Sequence, residues 1–179
     1  MTPALSPESA AWKSAVQFHG HACPGVAIGC RMALAALGAL DLDPSFLLGE
    51  AGAVNRELSP DEELACVAET DACCVDGVQA LLGCTLGKGN LLLKLRGKTA
   101  MSFYHRPSKK AARIIWTAGL RLPNGEPADR GEIIGYYLRA PEEELLSVKP
   151  IPFAPPKRAV VDRSLPCSKC GEMTAEYAL

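Results

Sequence analysis

Residues 18–25, with the sequence FHGHACPG, lie between two segments of helical pattern and place two histidines and a cysteine within five positions. Upstream, residues 9–17 have the spacing of an amphipathic helix. Downstream, Pro24 suits the first turn of a second helix, which we expect to run to about Leu40. Small residues recur every four positions along that helix, at Gly25, Gly29 and Ala33. This spacing predicts one smooth face on which another backbone can approach closely.

Further along the chain, short strand patterns and helical patterns mix. We predict strands over residues 64–69, 91–95, 99–104 and 113–116, and helices over 75–82, 132–138 and 142–146. A helix over residues 109–120 is an open alternative to the last strand. Residues 96–98, Arg-Gly-Lys, are predicted to form a hairpin turn between the second and third strands. The pattern indicates an α+β fold with a mixed or antiparallel sheet packed against helices.

Beyond residue 149 the sequence becomes rich in proline. Prolines at 150, 152, 155 and 156 predict a semi-rigid extended arm. The arm leads to a tail in which Cys167 and Cys170 are separated by two residues. We therefore expect a core over residues 1–150 and an arm with a cysteine-bearing tail over residues 151–179.

The composition is that of a soluble globular protein, with 48% hydrophobic and 22% charged residues. A net charge of -1 gives no electrostatic reason to expect nucleic acid as a partner. The apolar residues 26–42 are interrupted by Arg31 and short for a bilayer span, so no membrane association is predicted. No basic segment followed by an apolar core opens the chain, and a cytoplasmic location is expected. The eight cysteines are then candidates for packing, metal binding or thiol chemistry.

The histidines and cysteine of residues 18–25 form the first candidate site. In an extended segment His19, His21 and Cys23 would point to one side, and in a helical turn His19 and Cys23 would be neighbours. Imidazole nitrogen and thiolate sulfur are ligands that zinc prefers. Pro24 places Cys23 near a helix N-terminus, which stabilises a thiolate. We predict metal binding by all three residues and catalytic roles for Cys23 as nucleophile and His21 as base. Ordinary polar residues around a helix start are the alternative.

A second candidate segment, residues 69–76 (ETDACCVD), follows a predicted strand and precedes a helix. Cys73 could complete a metal site with the first segment, and Asp71 or Asp76 could orient a ligand. Adjacent Cys73 and Cys74 cannot easily share one tetrahedral metal, so we expect one of them to pack in the core. Two buried cysteines beside an aspartate cap are the alternative.

The glycine-rich residues 83–90, GCTLGKGN, invite comparison with a phosphate-binding loop. The spacing is one residue short, and no serine or threonine follows the lysine. A glycine-rich turn can still present N–H groups to an anion. Lys88 and Asn90 are therefore candidate cofactor-binding residues, with a plain turn as the alternative.

Together these three segments resemble, in the same order, the signature motifs of the FmdE family of formylmethanofuran dehydrogenase proteins. The resemblance covers roughly residues 10–150, and Cys74 stands where relatives often have proline. It implies an α+β core, a homodimer and often a C-terminal treble-clef zinc finger. It also implies a cleft that holds a divalent metal, for which we expect zinc. The implied ligands are His19, His21, Cys23 and Cys73.

The resemblance also implies a functional context, since the family is named for a protein associated with a molybdenum or tungsten enzyme that reduces carbon dioxide onto methanofuran. One hypothesis is an enzyme associated with molybdenum- or tungsten-dependent formylmethanofuran or formate-type one-carbon redox metabolism. The alternative is a non-catalytic metal-binding or assembly factor with such an oxidoreductase as partner.

In the tail, Cys167 and Cys170 followed by Gly171 resemble one zinc knuckle, and both thiols are candidate metal ligands. A complete finger needs a second pair of ligands. A second chain or core cysteines could supply that pair. A degenerate remnant and a redox pair are the other possibilities.

Overall fold

The structure is a computed structural model that describes residues 5–48, 59–119 and 129–178. The helices are α1 Ala10–His19, α2 Pro24–Ala39, α3 Ser45–Leu48, α4 Cys74–Leu82, α5 Arg130–Arg139 and α6 Glu142–Leu145. The strands are β1 Leu64–Ala68, β2 Leu91–Leu93, β3 Ala100–His105, β4 Lys110–Trp116, β5 Leu146–Pro150, β6 Ser164–Pro166 and β7 Met173–Ala175. A short 3₁₀ helix, Glu176–Ala178, follows β7.

Five strands form the central sheet in the order β2-β1-β3-β4-β5. β1 and β2 are parallel and joined through α4, while the other neighbours are antiparallel. Helices α1, α2 and α4 pack with one another, α5 packs on α2, and α2 also packs on β4 and β5. The predicted α+β fold with a mixed sheet is confirmed.

The predicted hairpin at residues 96–98 is wrong. β2 and β3 do not pair with each other; they lie on opposite sides of β1. The connection between them crosses the carboxyl end of β1, where the backbone N–H of Lys94 donates to Ala68 O and that of Arg96 donates to Glu69 O. A glycine between two apolar runs is typical of a hairpin, but parallel pairing of β1 with β2 places the second run elsewhere.

The strand expected at residues 113–116 is confirmed and begins earlier, at Lys110, so the helical alternative is excluded. The helix expected over residues 142–146 is a single turn, and β5 begins directly after it. β5 was not predicted from the sequence. Its residues are held by the neighbouring strand, with Val148 opposite Ile114, a partnership between positions more than thirty residues apart.

The predicted smooth face of α2 packs against α4. A Cβ on Gly29 would lie 2.2 Å from the carbonyl oxygen of Cys74, and one on Gly77 would lie 2.9 Å from the backbone nitrogen of Cys30. Real Cβ atoms essentially never approach that closely. The two glycines therefore let the helix backbones touch and fix the start of α4 beside α2.

Residues 151–163 contain no helix or strand and lie along the core. Arg106 donates from Nη2 to Pro156 O at 2.9 Å, and the backbone N–H of Ala159 donates to Glu62 Oε1 at 2.9 Å. The Phe153 ring packs edge-on to Tyr104 of β3. β6 and β7 then form a small hairpin. Within the described ranges, every helix is too short or too polar to cross a bilayer.

Candidate metal centre

Three helix ends meet at the candidate site. His19 is the last residue of α1, Cys23 caps the start of α2, and Cys73 caps the start of α4. One ligand atom from each lies within 4.8 Å of the other two, and no other His, Cys, Asp or Glu group in the described ranges gathers three ligands in this way. Gly20 turns the chain between the first two with φ 95°, a conformation that favours glycine.

The imidazole of His19 is held from one side by a carboxylate. His19 Nδ1 lies 2.7 Å from Asp76 Oδ2, and His19 Nε2 lies 3.8 Å from Cys23 Sγ. Gln79 donates from Nε2 to the other oxygen of Asp76 at 3.1 Å. This arrangement places the proton on Nδ1 and leaves the Nε2 lone pair directed at the thiols, as in metal-binding histidines that donate to a carboxylate.

Cys23 is positioned by the start of α2, as Pro24 predicts. Its backbone is extended, with φ -147° and ψ 158°, and its Sγ accepts the N–H of Val26 at 3.4 Å. The side chain is 7% exposed. A sulfur that accepts a backbone N–H at a helix N-terminus is suited to carry negative charge as a metal ligand.

Cys73 forms the outer side of the group and reaches solvent. Partial burial, and then the neighbouring Cys23, raise the pKa of the Cys73 thiol, and a bound cation would favour its thiolate form. A Cβ on Gly25 would lie 2.7 Å from the Cβ of Cys73. Gly25 is therefore what lets the two thiol-bearing helix ends approach.

The donor set fits a divalent ion of borderline softness. One imidazole nitrogen and two sulfurs, with metal bonds of about 2.0–2.3 Å in tetrahedral geometry, would be about 3.5–3.8 Å apart. His19 Nε2 and Cys23 Sγ, 3.8 Å apart, are already at that separation, and all three ligand atoms lie within 4.8 Å of one another. One fixed imidazole and two thiols suit zinc better than magnesium or calcium, which prefer oxygen.

The other residues predicted for this site lie nearby but not in the group. His21 is exposed, and its ring centroid is 4.6 Å from that of His19. The alternation argument assumed an extended segment, whereas α1 continues through His19. The role of His21 as ligand or base stays a prediction. Of the two candidate carboxylates, Asp76 contacts His19 and Asp71 is exposed.

Four further cysteines are packing residues. Cys30, Cys66, Cys74 and Cys84 are each at most 1% exposed. Burial raises the pKa of the Cys30, Cys74 and Cys84 thiols to about 12 and raises that of Cys66 well above its usual value. These thiols stay neutral and behave as small apolar side chains. Of the adjacent pair, Cys73 is the ligand candidate and Cys74 is in the core.

The glycine-rich loop is organised around Asn90, which is fully buried. Its side chain donates to Leu64 O at 2.9 Å and accepts the N–H of Thr85 at 2.8 Å, so it joins the loop to β1. Lys88 is half-buried and donates to Ser59 O at 2.6 Å. The cofactor-binding role assigned to both residues stays a prediction.

In the tail, Cys167 and Cys170 lie in a tight turn closed by Gly171, whose φ is 76°. Hydrogen bonds from the backbone N–H groups of Lys169 and Cys170 lower the pKa of the Cys167 thiol. Cys170 donates to Glu172 Oε2 at 3.6 Å. The role of both tail thiols as metal ligands stays a prediction.

One member of the core site, Gln79, was not predicted from the sequence. Gln79 could have been identified from its position three residues after Asp76, because residues three apart lie on the same side of a helix.

Comparison with known families agrees with this geometry. The family model "FmdE, Molybdenum formylmethanofuran dehydrogenase operon" matches residues 18–147, which include all three ligand candidates. The chain belongs to the FmdE family. The match also links the chain's family to the operon of a molybdenum enzyme.

Two relatives are informative about FmdE proteins. A protein of Archaeoglobus fulgidus named "Probable S-adenosyl-L-methionine-binding protein" is 30% identical over 89% of this chain. The chain spans about half of that protein, 47% of its length. The crystal structure of a tungsten formylmethanofuran dehydrogenase FmdE-like protein from Syntrophus aciditrophicus has a TM-score of 0.61 at 22% identity. The superposition covers 92% of this chain and 84% of that one, and it shows the fold.

Proposed function

We propose that this FmdE protein uses His19, Cys23 and Cys73 to hold one zinc ion as the active site of an enzyme associated with molybdenum- or tungsten-dependent one-carbon redox metabolism. The observation that carries the proposal is the convergence of one imidazole nitrogen and two sulfur atoms within 4.8 Å at three helix ends. A homodimer, which the FmdE resemblance implies, and a cytoplasmic location are also part of the proposal.

A catalytic role is supported by the number of ligands. Structural zinc sites close with four protein ligands, whereas catalytic sites have three and leave one position for water or substrate. Here the described residues offer three, and Cys73 lies at the solvent side. A zinc ion there would polarise a carbonyl or a bound water.

The chain's own residues would position and move protons around that centre. Asp76 accepts the Nδ1–H of His19, and the backbone N–H of Val26 at the start of α2 donates to Cys23 Sγ. His21, beside His19 and open to solvent, is placed to exchange a proton with a substrate as a general base. Cys23 as a nucleophile is the other part of this hypothesis, and metal binding would compete with it.

The proposal predicts that one coordination position of the metal can be occupied by an external ligand. The metal-free protein is loaded with Co²⁺, whose d–d spectrum reports coordination, and titrated with formate and azide. A saturable spectral change in the full chain, absent from the Cys73→Ser variant, is expected. A cobalt spectrum that neither anion changes would show a closed structural site and reject the catalytic role.

The alternative is a metal-binding or assembly factor for a molybdenum or tungsten oxidoreductase. The operon linkage of the family favours it. The test is copurification of the tagged chain with such an oxidoreductase, compared with a variant lacking residues 164–178. Stable copurification combined with an inert cobalt spectrum would favour this alternative over the enzyme.

For the tail we propose a second zinc site formed by Cys167 and Cys170 with ligands from another chain. The lowered pKa of Cys167 supports thiolate binding there. Zinc content that falls when both cysteines are changed to serine would support this site.

A further inference from the structure

A cavity of about 470 Å³ lies next to the metal centre and is not used by the proposed chemistry. It lies between the end of α1, one side of α4 and the glycine-rich loop. Its lining is mostly apolar, with Phe18, Pro60, Ala80 and Leu82 among the contributors. The volume and the apolar walls are those of a small-molecule site.

One positive charge faces this apolar space. Lys88 is the ionisable residue among those that line the cavity, and the polar neighbours Gln79 and Thr85 are neutral. An ammonium group has three N–H donors. Among the described residues the only acceptor of Lys88 Nζ is Ser59 O, and no carboxylate there lies within ion-pair distance. The Lys88 charge contributes to lowering the pKa of the Glu63 carboxyl, but Glu63 does not line the cavity. The charge within the lining is therefore positive and favours a ligand with an anionic group.

Phe18 provides an apolar surface for the rest of such a ligand. Its side chain is 55% exposed, although it directly precedes the ligand candidate His19. A large aromatic ring at the mouth of an apolar cavity offers a packing surface for the body of a ligand.

We propose that this cavity binds a small organic carboxylate, with the carboxylate on Lys88 and the apolar body between Phe18 and the α4 side chains. This carboxylate site is separate from the proposed metal site, and binding to it needs no metal.

Gln79 connects this cavity to the metal centre. It lines the cavity and donates to Asp76, which in turn holds His19. A bound carboxylate that contacts Gln79 would therefore alter the position of a metal ligand. This coupling rests on the proposed metal site, whereas carboxylate binding to the metal-free chain does not.

Matched probes test the binding. Isothermal titration of the metal-free full chain with hexanoate and with the neutral hexanamide separates charge from apolar contact. We expect hexanoate to bind at least about tenfold more tightly than hexanamide. In Lys88→Met this preference should be lost, whereas Lys149→Met, on the distant β5, should retain it.

A second variant tests the cavity independently of Lys88→Met. Ala80→Trp fills the cavity from α4 and should abolish binding of both probes while the circular dichroism spectrum is retained. Equal affinity for both probes in the wild type, an unchanged preference in Lys88→Met, or no binding up to about 10 mM would overturn the proposal.

The coupling between the cavity and the metal centre is measured through the zinc affinity. Saturating hexanoate should change the zinc affinity of the wild type about fivefold or more, and Gln79→Leu should remove that effect. An unchanged zinc affinity in the wild type would overturn the coupling. A chain that binds hexanoate but no zinc would reject the metal proposal and leave the carboxylate site standing.

Discussion

Asp76 and His19 lie 57 positions apart in the sequence and meet through a 2.7 Å contact between Oδ2 and Nδ1. The contact joins the first turn of α4 to the end of α1. It decides which nitrogen of His19 faces Cys23 and makes Asp76 a positioning residue for the metal centre. The site is thus assembled by the packing of α1, α2 and α4, and not by the residue 18–25 segment alone.

Changing Asp76 to alanine should weaken zinc binding by about 10–100-fold, because His19 loses the partner that fixes its tautomer and orientation. Competition with a chromophoric chelator measures the affinity. Asp71→Ala is the matched control, since Asp71 is an exposed acid five positions earlier. Equal losses in the two variants would show a general charge effect and contradict the assigned contact.

The adjacent cysteines should respond differently. In a chain that already carries Cys167→Ser and Cys170→Ser, so that the tail binds no zinc, Cys73→Ser removes a proposed ligand, and we expect loss of stoichiometric zinc with little loss of stability. Cys74→Ala removes a buried sulfur, and we expect bound zinc with a lower melting temperature. Zinc content by elemental analysis and thermal unfolding provide both readouts. Zinc retained in Cys73→Ser would remove Cys73 from the ligand set.

Gly29→Ala should destabilise the fold by about 2–4 kcal/mol, because the added methyl would collide with the backbone of α4. Gly38→Ala in the same helix is the control, since a Cβ there meets nothing within 4 Å. We expect that change to stabilise the protein by about 0.5–1 kcal/mol. Urea unfolding measures both, and similar effects of the two changes would contradict the close approach.

The ion pair of Glu69 with Arg113 should make stability depend on pH. Hydrogen bonds from Arg113, which include Nη2 to Oε2 at 3.0 Å, lower the pKa of Glu69 below its usual 4.5. The folded chain therefore binds this proton more weakly than the unfolded chain. The stabilisation is complete above pH 4.5 and is lost as the pH falls through the lowered pKa.

We expect Glu69→Gln to cost about 1.5–3 kcal/mol at pH 7 and progressively less below about pH 4. Melting temperatures between pH 3 and pH 7 measure the difference from the wild type. Glu8→Gln, at an exposed acid, should stay within about 0.5 kcal/mol throughout. A Glu69→Gln effect that is constant with pH would show that lost packing, and not the ion pair, is responsible.

The sequence predicted those parts of the fold that depend on local pattern. Pro24 with the four-residue spacing of small side chains predicted α2 and its smooth face, and short strand patterns predicted β1 and β4. It could not predict that β2 and β3 flank β1, because that order depends on pairing between distant strands. β5 was missed for the same reason.

In the candidate site, too, local sequence predicted some features, and others depended on contacts between distant segments. The spacing of His19 and Cys23 indicated their proximity, since α1 ends at one and α2 begins after the other. Cys73 was a candidate ligand from residues 69–76, and the family resemblance also implied it. The choice of Asp76 over Asp71 needed the orientation of α4, which local sequence does not determine. The position of His21 needed the conformation of Gly20, whose positive φ turns the chain away from an extended path.

The central claim is one zinc ion bound by His19, Cys23 and Cys73. The most direct test is metal analysis and zinc X-ray absorption on the Cys167→Ser, Cys170→Ser double variant, purified without added metal. We predict one zinc per chain, with two sulfurs at about 2.3 Å and one imidazole nitrogen at about 2.0 Å. A metal-free double variant, or a zinc shell without sulfur, would contradict this ligand assignment.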